Sequence, residues 1–338
     1  MENRKLDHIK ICVEKNVEYG NAGFDKIELV QKSLPELDFG KINTACTFGK
    51  HLKYPFIIEA MTGGTPEAEQ INKDLARVAQ DYGIGFGVGS QRAAIEDPKL
   101  ERTFMVRDVA PDIFLIANLG AVQLNYGYGI KECQRAVDMI DADALALHIN
   151  PLQEVVQPGG NTDFSNLIKK INEIKKELHK PVIVKGVGSG VSYDIAKKLG
   201  VDAIDVGGLG GTSWALVESY RGNKALGEKF AGFGIPTAEC VKELSKLKIP
   251  IVASGGIRSG IDAAKAIALG ARCIGVALPI LRAWNAGKRH AVREYLDQFF
   301  MEMKVAMFLT GAKTLEELKG NVRESNSGLS QIFSLSLP

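Results

Sequence analysis

The chain has 338 residues, of which 45% are hydrophobic and 24% are charged, as in an ordinary water-soluble globular protein. Its formal net charge of +2 is too small to favour nucleic acid or an anionic membrane as the main partner. No apolar run is long enough for a membrane span, and the N-terminus lacks the apolar core of a signal peptide. The 5 cysteines are dispersed without CxxC spacing, which favours reduced thiols over a disulfide framework or a zinc site, so we expect a cytoplasmic protein.

Eight short apolar segments rich in Val, Ile and Ala recur along the chain. They predict strands at residues 56–61, 83–90, 113–120, 144–150, 181–187, 203–208, 250–255 and 273–278. Between them, apolar residues repeat at intervals of three and four, which predicts helices at residues 67–82, 131–140, 164–178, 193–199, 237–247 and 260–269. Strands that are apolar along their whole length are typical of a parallel sheet covered on both faces. Eight of them, each followed by a helix, predict an α/β fold of the (β/α)8 TIM-barrel type, whereas a doubly wound sheet would have fewer strands and a glycine fingerprint after the first.

Three segments lie outside this repeat. Residues 1–55 show little periodicity and form an N-terminal extension. The connection after the sixth strand, residues 209–233, is too long for a simple loop, and connections of this length are often lids or binding loops. Residues 279–309 and 314–320 have helical patterns and precede a Ser-rich tail. We therefore predict a single domain over residues 1–338, made of the extension (1–55), the barrel (56–290) and C-terminal helices with the tail (291–338).

A glycine-rich segment at residues 253–260 follows the seventh strand and leads into a helix. In a TIM barrel the chemistry lies at the carboxyl ends of the strands, and the last two loops often bind phosphate. Gly255 and Gly256 would let the backbone approach an anion, the helix N-terminus would add N–H donors, and residues 275–277 would supply the other half. The pattern predicts a phosphate site, with a tightly packed glycine turn as the alternative. It does not distinguish FMN from a sugar phosphate.

Several predicted strands end in polar side chains that could form hydrogen bonds with a flavin. Lys185 ends the fifth strand, and a lysine at the end of a buried strand usually has a functional partner. A natural partner is the N1 and C2-carbonyl edge of a flavin, whose reduced form is anionic, and a rim lysine that reaches water is the alternative. Thr62, Ser90 and Asn118 end the first three strands with hydrogen-bonding groups, although each could also cap its strand.

The segment HINPLQE at residues 148–154 places an imidazole, two amides and a carboxylate just past the fourth strand. His148 and Asn150 point to the same side of the strand. Glu154 is a candidate Mg²⁺ ligand, because Mg²⁺ prefers one or two carboxylates together with substrate phosphate oxygens. Gln153 is not an ordinary acid or base, so a role in proton transfer would require close coupling to the flavin. The alternative is a polar loop that caps the following helix.

These motifs resemble the type 2 isopentenyl diphosphate isomerases, the FMN-dependent form, over nearly the whole chain. The matching segments are RKLDH at 4–8, MTGG at 61–64, GVGSQR at 87–92, NLGA at 118–121, HINPLQE at 148–154 with QPGG at 157–160, KGVG at 185–188, GG at 207–208, GTSW at 211–214 and the loop at 254–260. The glycine loops are shared by many FMN barrels. The RKxDH start, the GSQR turn and the HxNxxQE segment are together specific to this family.

The resemblance implies a role for each residue in these motifs. FMN contacts are expected at Ala60, Met61, Thr62, Ser90, Asn118, Lys185, Thr212, Gly255, Gly256, Arg258, Ala277 and Leu278. Substrate contacts are expected at Arg4, Lys5, His8, Ser90, Gln91, Arg92, His148, Gln153 and Trp214. Gln153, His148 and Asn150 are expected to be catalytic, and Glu154 to bind Mg²⁺.

The resemblance also implies an activity and an assembly. The expected reaction is the reversible 1,3-proton shift between isopentenyl diphosphate and dimethylallyl diphosphate, carried out on reduced FMN without net redox change, with NADPH as a reductant. The expected assembly is a homo-tetramer or homo-octamer.

Three other functions remain as alternatives. A flavin-dependent 2-hydroxy-acid oxidase would carry a catalytic histidine near the seventh loop, and neither 206–209 nor 246–249 contains one. A nucleotide dehydrogenase of the inosine monophosphate type would need a nucleophilic cysteine in the sixth loop, and residues 207–214 lack it. A flavin-binding scaffold without catalysis would not need the RKxDH and HxNxxQE segments.

Overall fold

Eight parallel strands form a closed barrel in the computed structural model, which describes residues 2–325 of the chain, with side chains from residue 5 onward. The strands are β1 (Phe56–Ile58), β2 (Gly85–Gly87), β3 (Leu115–Gly120), β4 (Ala144–Ile149), β5 (Val182–Gly186), β6 (Ala203–Asp205), β7 (Ile251–Ser254) and β8 (Cys273–Val276). They pair in chain order, and β8 pairs with β1 to close the barrel. Each strand lies within a predicted one, so the predicted (β/α)8 barrel is confirmed.

Helices surround the barrel and connect its strands. They are α1 (Glu2–Glu14), α2 (Pro66–Tyr82), α3 (Arg92–Glu96), α4 (Ile130–Asp138), α5 (Pro151–Val156), α6 (Leu167–Glu177), α7 (Tyr193–Ala196), α8 (Trp214–Ser219), α9 (Lys224–Lys229), α10 (Thr237–Leu244), α11 (Gly260–Ala268), α12 (Leu278–Leu309) and α13 (Leu315–Leu318). The predicted helices correspond to α2, α4, α6, α7, α10, α11, α12 and α13, with ends shifted by a few residues. Within residues 2–325, no helix has the length and the apolar character needed to cross a bilayer.

Helix α2 shows how local sequence signals set the bounds of these elements. The Thr65 hydroxyl caps its N-terminus by accepting a hydrogen bond from the Ala68 N–H at 3.1 Å. The helix ends at Gly83, whose φ of +61° is a left-handed conformation that glycine adopts without strain. Ile71 and Leu75 are fully buried on the face that packs on the barrel. Each buried aliphatic side chain of this kind contributes about 2 kcal/mol to the stability of the fold.

Helix α1 is not among the predicted elements, although it lies in the predicted extension. It packs on α8 and α12 at the rim of the barrel rather than on the barrel wall. Cys12 is buried, and Ile9, Ile11 and Val13 are partly buried against the core. These apolar residues are nearly consecutive rather than three or four apart, so they leave little helical periodicity in the sequence.

The predicted long connection after the sixth strand contains two short helices, α8 and α9. Helix α8 packs against α1 and α5, so the connection and the extension meet over the carboxyl ends of the strands. At the far end of the chain, α12 is interrupted at Gly287 and Lys288, whose backbone angles are not helical. The Ser-rich tail beyond residue 325 lies outside the described residues.

Candidate functional site

A cavity opens at the carboxyl ends of the barrel strands. Its wall contains most of the residues predicted to bind cofactor, metal or substrate, namely Lys5, His8, Ala60, Met61, Ser90, Arg92, Asn118, His148, Asn150, Gln153, Glu154, Lys185, Thr212, Trp214, Gly255, Gly256, Arg258, Ala277 and Leu278. The structure therefore brings together motifs from the extension, the strand ends and the sixth connection.

Three predicted residues are placed differently. Thr62 is buried behind the wall, and its hydroxyl oxygen has no hydrogen-bond partner among the described residues. Gln91 is also buried, where its amide donates to the Ala136 carbonyl at 2.7 Å and accepts from the Asn118 N–H at 2.8 Å. Gln91 thus positions the end of β3, and the predicted direct substrate contact finds no support in this arrangement. Arg4 belongs to α1, but its side chain lies outside the described residues.

The glycine loop after β7 is packed against the loop after β6. Gly255 and Gly256 have φ values of +97° and +74°, and a Cβ on Gly255 would lie 2.1 Å from the Gly208 carbonyl oxygen. Ser259 then caps α11, with its hydroxyl accepting from the Asp262 N–H at 3.1 Å. The loop therefore requires glycine for both conformation and space, and it ends at a helix N-terminus, where an anion is stabilised.

We expect Gly255→Ala to lower the free energy of unfolding by about 2 kcal/mol and to weaken FMN binding, because the added methyl group must displace the sixth loop. Gly127→Ala is the matched control, since Gly127 has a φ of +88° and nothing within 4 Å of the position of its Cβ. Chemical denaturation measures the free energy of unfolding of both variants, and FMN titration measures their affinity for FMN. Equal effects would mean that backbone strain alone, and not the contact with the Gly208 loop, explains the loss.

Arg258, predicted to contact FMN, is held by a carboxylate that the sequence analysis did not identify. Glu18 accepts hydrogen bonds from Arg258 and from Arg282 at the start of α12. Burial of Glu18 opposes its ionisation, but these two guanidinium groups outweigh it and hold the pKa of the carboxyl below its usual value. Residue 18 also forms an isolated antiparallel bridge with Thr212. Glu18 thus joins the extension to the loop after β6, to the glycine loop after β7 and to the start of α12.

Lys185 lies at the end of β5, where its mostly buried side chain lines the cavity, but its neighbours were not predicted. Its Nζ lies 2.6 Å from Asp205 Oδ2 and 2.9 Å from Glu59 Oε2. Burial opposes the charge of Lys185, but the two carboxylates outweigh it and raise the pKa of the ammonium group. Asp205 and Glu59 each lie near the end of an otherwise apolar strand. A single charged residue at such a position is the sequence signal that could have identified them.

His148 is held by Asn118 at the end of the neighbouring strand. Its Nδ1 lies 2.7 Å from Asn118 Oδ1, so Nδ1 carries the proton and donates to the amide oxygen. Burial, followed by the positive charges of Lys5 and Lys185, lowers the pKa of the imidazole to about 3. His148 is therefore neutral near pH 7 and presents Nε2 as a hydrogen-bond acceptor.

We expect His148 to stay neutral throughout the range from mildly acidic to mildly alkaline pH in the FMN-free protein. Its folded pKa of about 3 lies below the unfolded value of about 6.5, so the unfolded chain binds the proton more readily. Its contribution to stability is therefore present above the unfolded value and is lost as the pH falls from there towards the folded value. Ring-nitrogen NMR of labelled histidine checks this, with His148→Asn to assign the signal. A protonated imidazole signal for His148 at pH 6 would contradict the expectation.

Gln153 is fixed by hydrogen bonds at both ends of its amide group. Its oxygen accepts from Asn150 Nδ2 at 3.0 Å, and its nitrogen donates to Glu218 Oε1 at 3.0 Å. Glu218 also contacts His8 Nε2 at 2.9 Å and accepts from Arg221 at 2.8 Å. The network joins α5 to the sixth connection and to α1, and it fixes which way the amide of Gln153 points.

Glu218 was not predicted, although its side chain is fully buried. Burial would raise its pKa, but the hydrogen bonds and charge of His8, together with the donors Gln153 and Arg221, hold the pKa below its usual value. Glu218 is therefore an anion at neutral pH. Only the unusual length of the sixth connection indicated that functional residues would lie there.

Glu154, the predicted Mg²⁺ ligand, is buried within a set of amide donors. Its carboxylate accepts from Asn150 Nδ2 at 3.1 Å, from the Asn161 N–H at 2.6 Å and from the Gln157 side chain. Asn150 Oδ1 is buried and has no hydrogen-bond partner among the described residues. No cluster of three or more metal-ligating His, Cys, Asp or Glu side chains occurs within the described part of the chain. One carboxylate and nearby amide oxygens suit Mg²⁺ that is completed by substrate oxygens and water.

Comparison with known proteins gives matches in sequence. Residues 143–324 match the family model described as FMN-dependent dehydrogenase. The chain is 49% identical over 328 residues to the isopentenyl-diphosphate delta-isomerase of Synechocystis sp., and 47% identical over 330 residues to that of Nostoc sp.. Each alignment covers 94% of this chain and 94% of the relative. The enzyme of the same name from Methanothermobacter thermautotrophicus is 46% identical, over 94% of this chain and 92% of the relative.

Solved structures of lower identity share the fold. A mandelate oxidase variant has a TM-score of 0.65 at 16% identity and is matched over 94% of this chain and 95% of its own. A flavocytochrome b2 variant has a TM-score of 0.66 at 18% identity, covering 100% of this chain and 83% of its own. At this level of identity the likeness concerns the barrel architecture alone.

Proposed function

The chain belongs to the FMN-dependent isopentenyl-diphosphate delta-isomerases, and we propose that it interconverts isopentenyl and dimethylallyl diphosphate by moving a proton on reduced FMN with Mg²⁺. The observation that carries the proposal is the network in which His8 of the extension and Gln153 of α5 share the buried carboxylate of Glu218. It joins the RKxDH and HxNxxQE segments, which are distant in sequence, over one cavity. The expected NADPH reductant, cytoplasmic location and tetrameric or octameric assembly belong to the same proposal.

The residues of the cavity fit FMN. The close-packed glycine loop at Gly255 and Gly256, which line the cavity, is a feature that the phosphate of FMN would use. Lys185 offers a cation for the pyrimidine edge of the ring. When bound in reduced form, FMN would supply the acid and the base of the proton shift.

The chain's own residues would bind and orient the substrate. Lys5, His8 and Arg92 form the cationic side of the cavity and suit a diphosphate. Neutral His148 accepts a hydrogen bond through Nε2 and adds no charge next to the reacting carbon atoms. The amide of Gln153, held at both ends, would align the alkene. Burial in the cavity strengthens these electrostatic interactions, because little water is present to screen them.

Glu154 would hold Mg²⁺ between the protein and the substrate diphosphate, where the ion contributes positioning. We expect Glu154→Gln to raise the Mg²⁺ concentration for half-maximal activity at least about tenfold, since it removes one charged ligand. The visible spectrum of bound FMN should not change. Glu173→Gln, at an exposed position of α6, is the control. An unchanged Mg²⁺ requirement in Glu154→Gln would exclude Glu154 as a ligand.

An anaerobic assay tests the proposed function. Purified protein is incubated with isopentenyl diphosphate, FMN and Mg²⁺, with or without dithionite. Dimethylallyl diphosphate is expected only after reduction of the flavin. A protein that binds FMN and forms no product under these conditions would overturn the substrate assignment and leave the barrel and the cofactor in place.

A further inference from the structure

Three ionisable side chains meet inside the barrel, directly below the cavity. Lys185 projects from β5, Asp205 from the end of β6, and Glu59 from just after β1 on the opposite side of the barrel. The lysine Nζ lies between the two carboxylates, 2.6 Å from Asp205 and 2.9 Å from Glu59. Glu59 and Lys185 also line the inner end of the cavity. We refer to these three residues as the barrel-floor cluster.

The two carboxylates of the barrel-floor cluster have unequal surroundings. Asp205 accepts from Lys185, from the Ser254 hydroxyl and from the Gly207 N–H at 3.3 Å. Glu59 accepts from Lys185 through Oε2, whereas its Oε1 is buried and has no hydrogen-bond partner among the described residues. Strand β8 has Gly275 beside this oxygen, and a Cβ there would lie 2.1 Å from Oε1. Asp205 is thus stabilised as an anion by three donors, and Glu59 by one.

Two carboxylates and one ammonium group leave one excess negative charge if all three are ionised, and burying that charge is costly. Burial first, and Asp205 second, raise the pKa of Glu59 to about 8, although Lys185 opposes them. The other titratable groups nearby do not take up the proton. Burial raises the pKa of the Cys273 thiol on β8, and His148 on β4 is neutral. Glu59 is therefore the member of the barrel-floor cluster that can exchange a proton near neutral pH.

We propose that Glu59 is a positioning residue that takes up a proton when FMN bound above the barrel-floor cluster is reduced, and that it thereby sets how strongly the flavin's reduction potential depends on pH. The inference rests on the proposed use of FMN, but it does not require isomerase activity. Reduction converts neutral flavin to an anion whose charge lies at the edge that Lys185 is predicted to face. A second anion near Lys185 increases the affinity of Glu59 for a proton. Protonated Glu59 then leaves the ammonium group to balance Asp205 and the flavin.

A two-electron donor such as dithionite supplies the electrons for this step. Oxidised FMN takes two electrons and one proton to give the anionic reduced form, and the Glu59 carboxylate takes one further proton to give the acid. Below the pKa of Glu59 in the oxidised protein, Glu59 is already protonated and one proton is taken up per electron pair. Between that pKa and the higher pKa of Glu59 in the reduced protein, two protons are taken up per electron pair, so the slope of potential against pH doubles there.

Spectroelectrochemical titration of the FMN-loaded protein tests the inference over a pH range that brackets the raised pKa of Glu59, about 8. The native protein is expected to show a twofold steeper slope on the alkaline side, and Glu59→Gln a single slope throughout. Glu67→Gln, at an exposed position of α2, should behave as the native protein does. A single slope in the native protein, or the steep segment retained in Glu59→Gln, would overturn the inference.

A second measurement needs no variant and covers the case in which Glu59→Gln fails to fold or to bind FMN. Proton uptake on reduction of the native protein is counted with a pH indicator in weakly buffered solution, on each side of the break. Two protons per electron pair on the alkaline side and one on the acid side support the inference, and equal counts overturn it. A native protein that binds no FMN would overturn the proposed function together with this inference. Bound FMN with a single slope would overturn the inference alone.

Discussion

Gln153→Ala is expected to lower kcat about 1,000-fold while FMN binding changes little. The amide of Gln153 is held by Asn150 on one side and by Glu218 on the other, 3.0 Å in each case, so it is preorganised to contact the reacting part of the substrate. Truncation removes that contact and takes one hydrogen bond each from Asn150 and Glu218. Steady-state kinetics with reduced FMN, together with a fluorescence titration of FMN, measures the two effects separately.

Gln70→Ala is the matched control for this variant. Gln70 lies at an exposed position of α2, and its replacement removes an amide without changing the cavity. Its kcat should equal that of the native protein. If Gln153→Ala keeps near-native kcat, or loses FMN in proportion to activity, Gln153 is not in contact with the reacting alkene.

Glu218→Gln is expected to lower kcat/KM about 100-fold and the free energy of unfolding by about 2 kcal/mol. The substitution keeps the shape of the side chain and removes the charge that His8 and Arg221 share. The new amide of residue 218 can donate as well as accept a hydrogen bond. The amide of Gln153 is then no longer held in one orientation. Assays of kcat and KM, with chemical denaturation, separate the effect on catalysis from the effect on stability.

Glu228→Gln provides the comparison, because Glu228 lies at an exposed position of α9 in the same connection. We expect Glu228→Gln to keep native activity and Glu218→Gln to show a large loss of kcat/KM. Loss of stability without loss of kcat/KM in Glu218→Gln would assign Glu218 a structural role only.

The barrel itself could be predicted because its signals are local. Each strand is a continuous apolar run, as in Phe56–Ile58, and the helices between them carry a period of three and four with caps such as Thr65 and Gly83. Strand ends were predicted too long, because residues such as Glu59 and Gly207 leave the ladder to form the site. Helix α1 could not be predicted, because its apolar residues at the rim are nearly consecutive and show no helical periodicity.

The candidate site was predictable where a motif occupies a strand end. Lys185, His148 and Gln153 all line the cavity as expected. Their partners were not predictable in the same way, because each comes from a distant element. Glu218 reaches Gln153 from the sixth connection, and Glu59 reaches Lys185 from across the barrel. Such pairs form only when distant segments pack together, as α5 and α8 do, or when the barrel closes, and no local pattern in the sequence predicts them.

The central claim is that the protein moves a proton on reduced FMN without consuming electrons. The most direct test is the reaction of isopentenyl diphosphate in D₂O under anaerobic conditions, with the flavin reduced once by dithionite and no further reductant added. The expected result is dimethylallyl diphosphate that carries deuterium in its newly formed methyl group, with many product molecules formed per electron pair. Product without deuterium, or product limited to one molecule per electron pair, would contradict the claim.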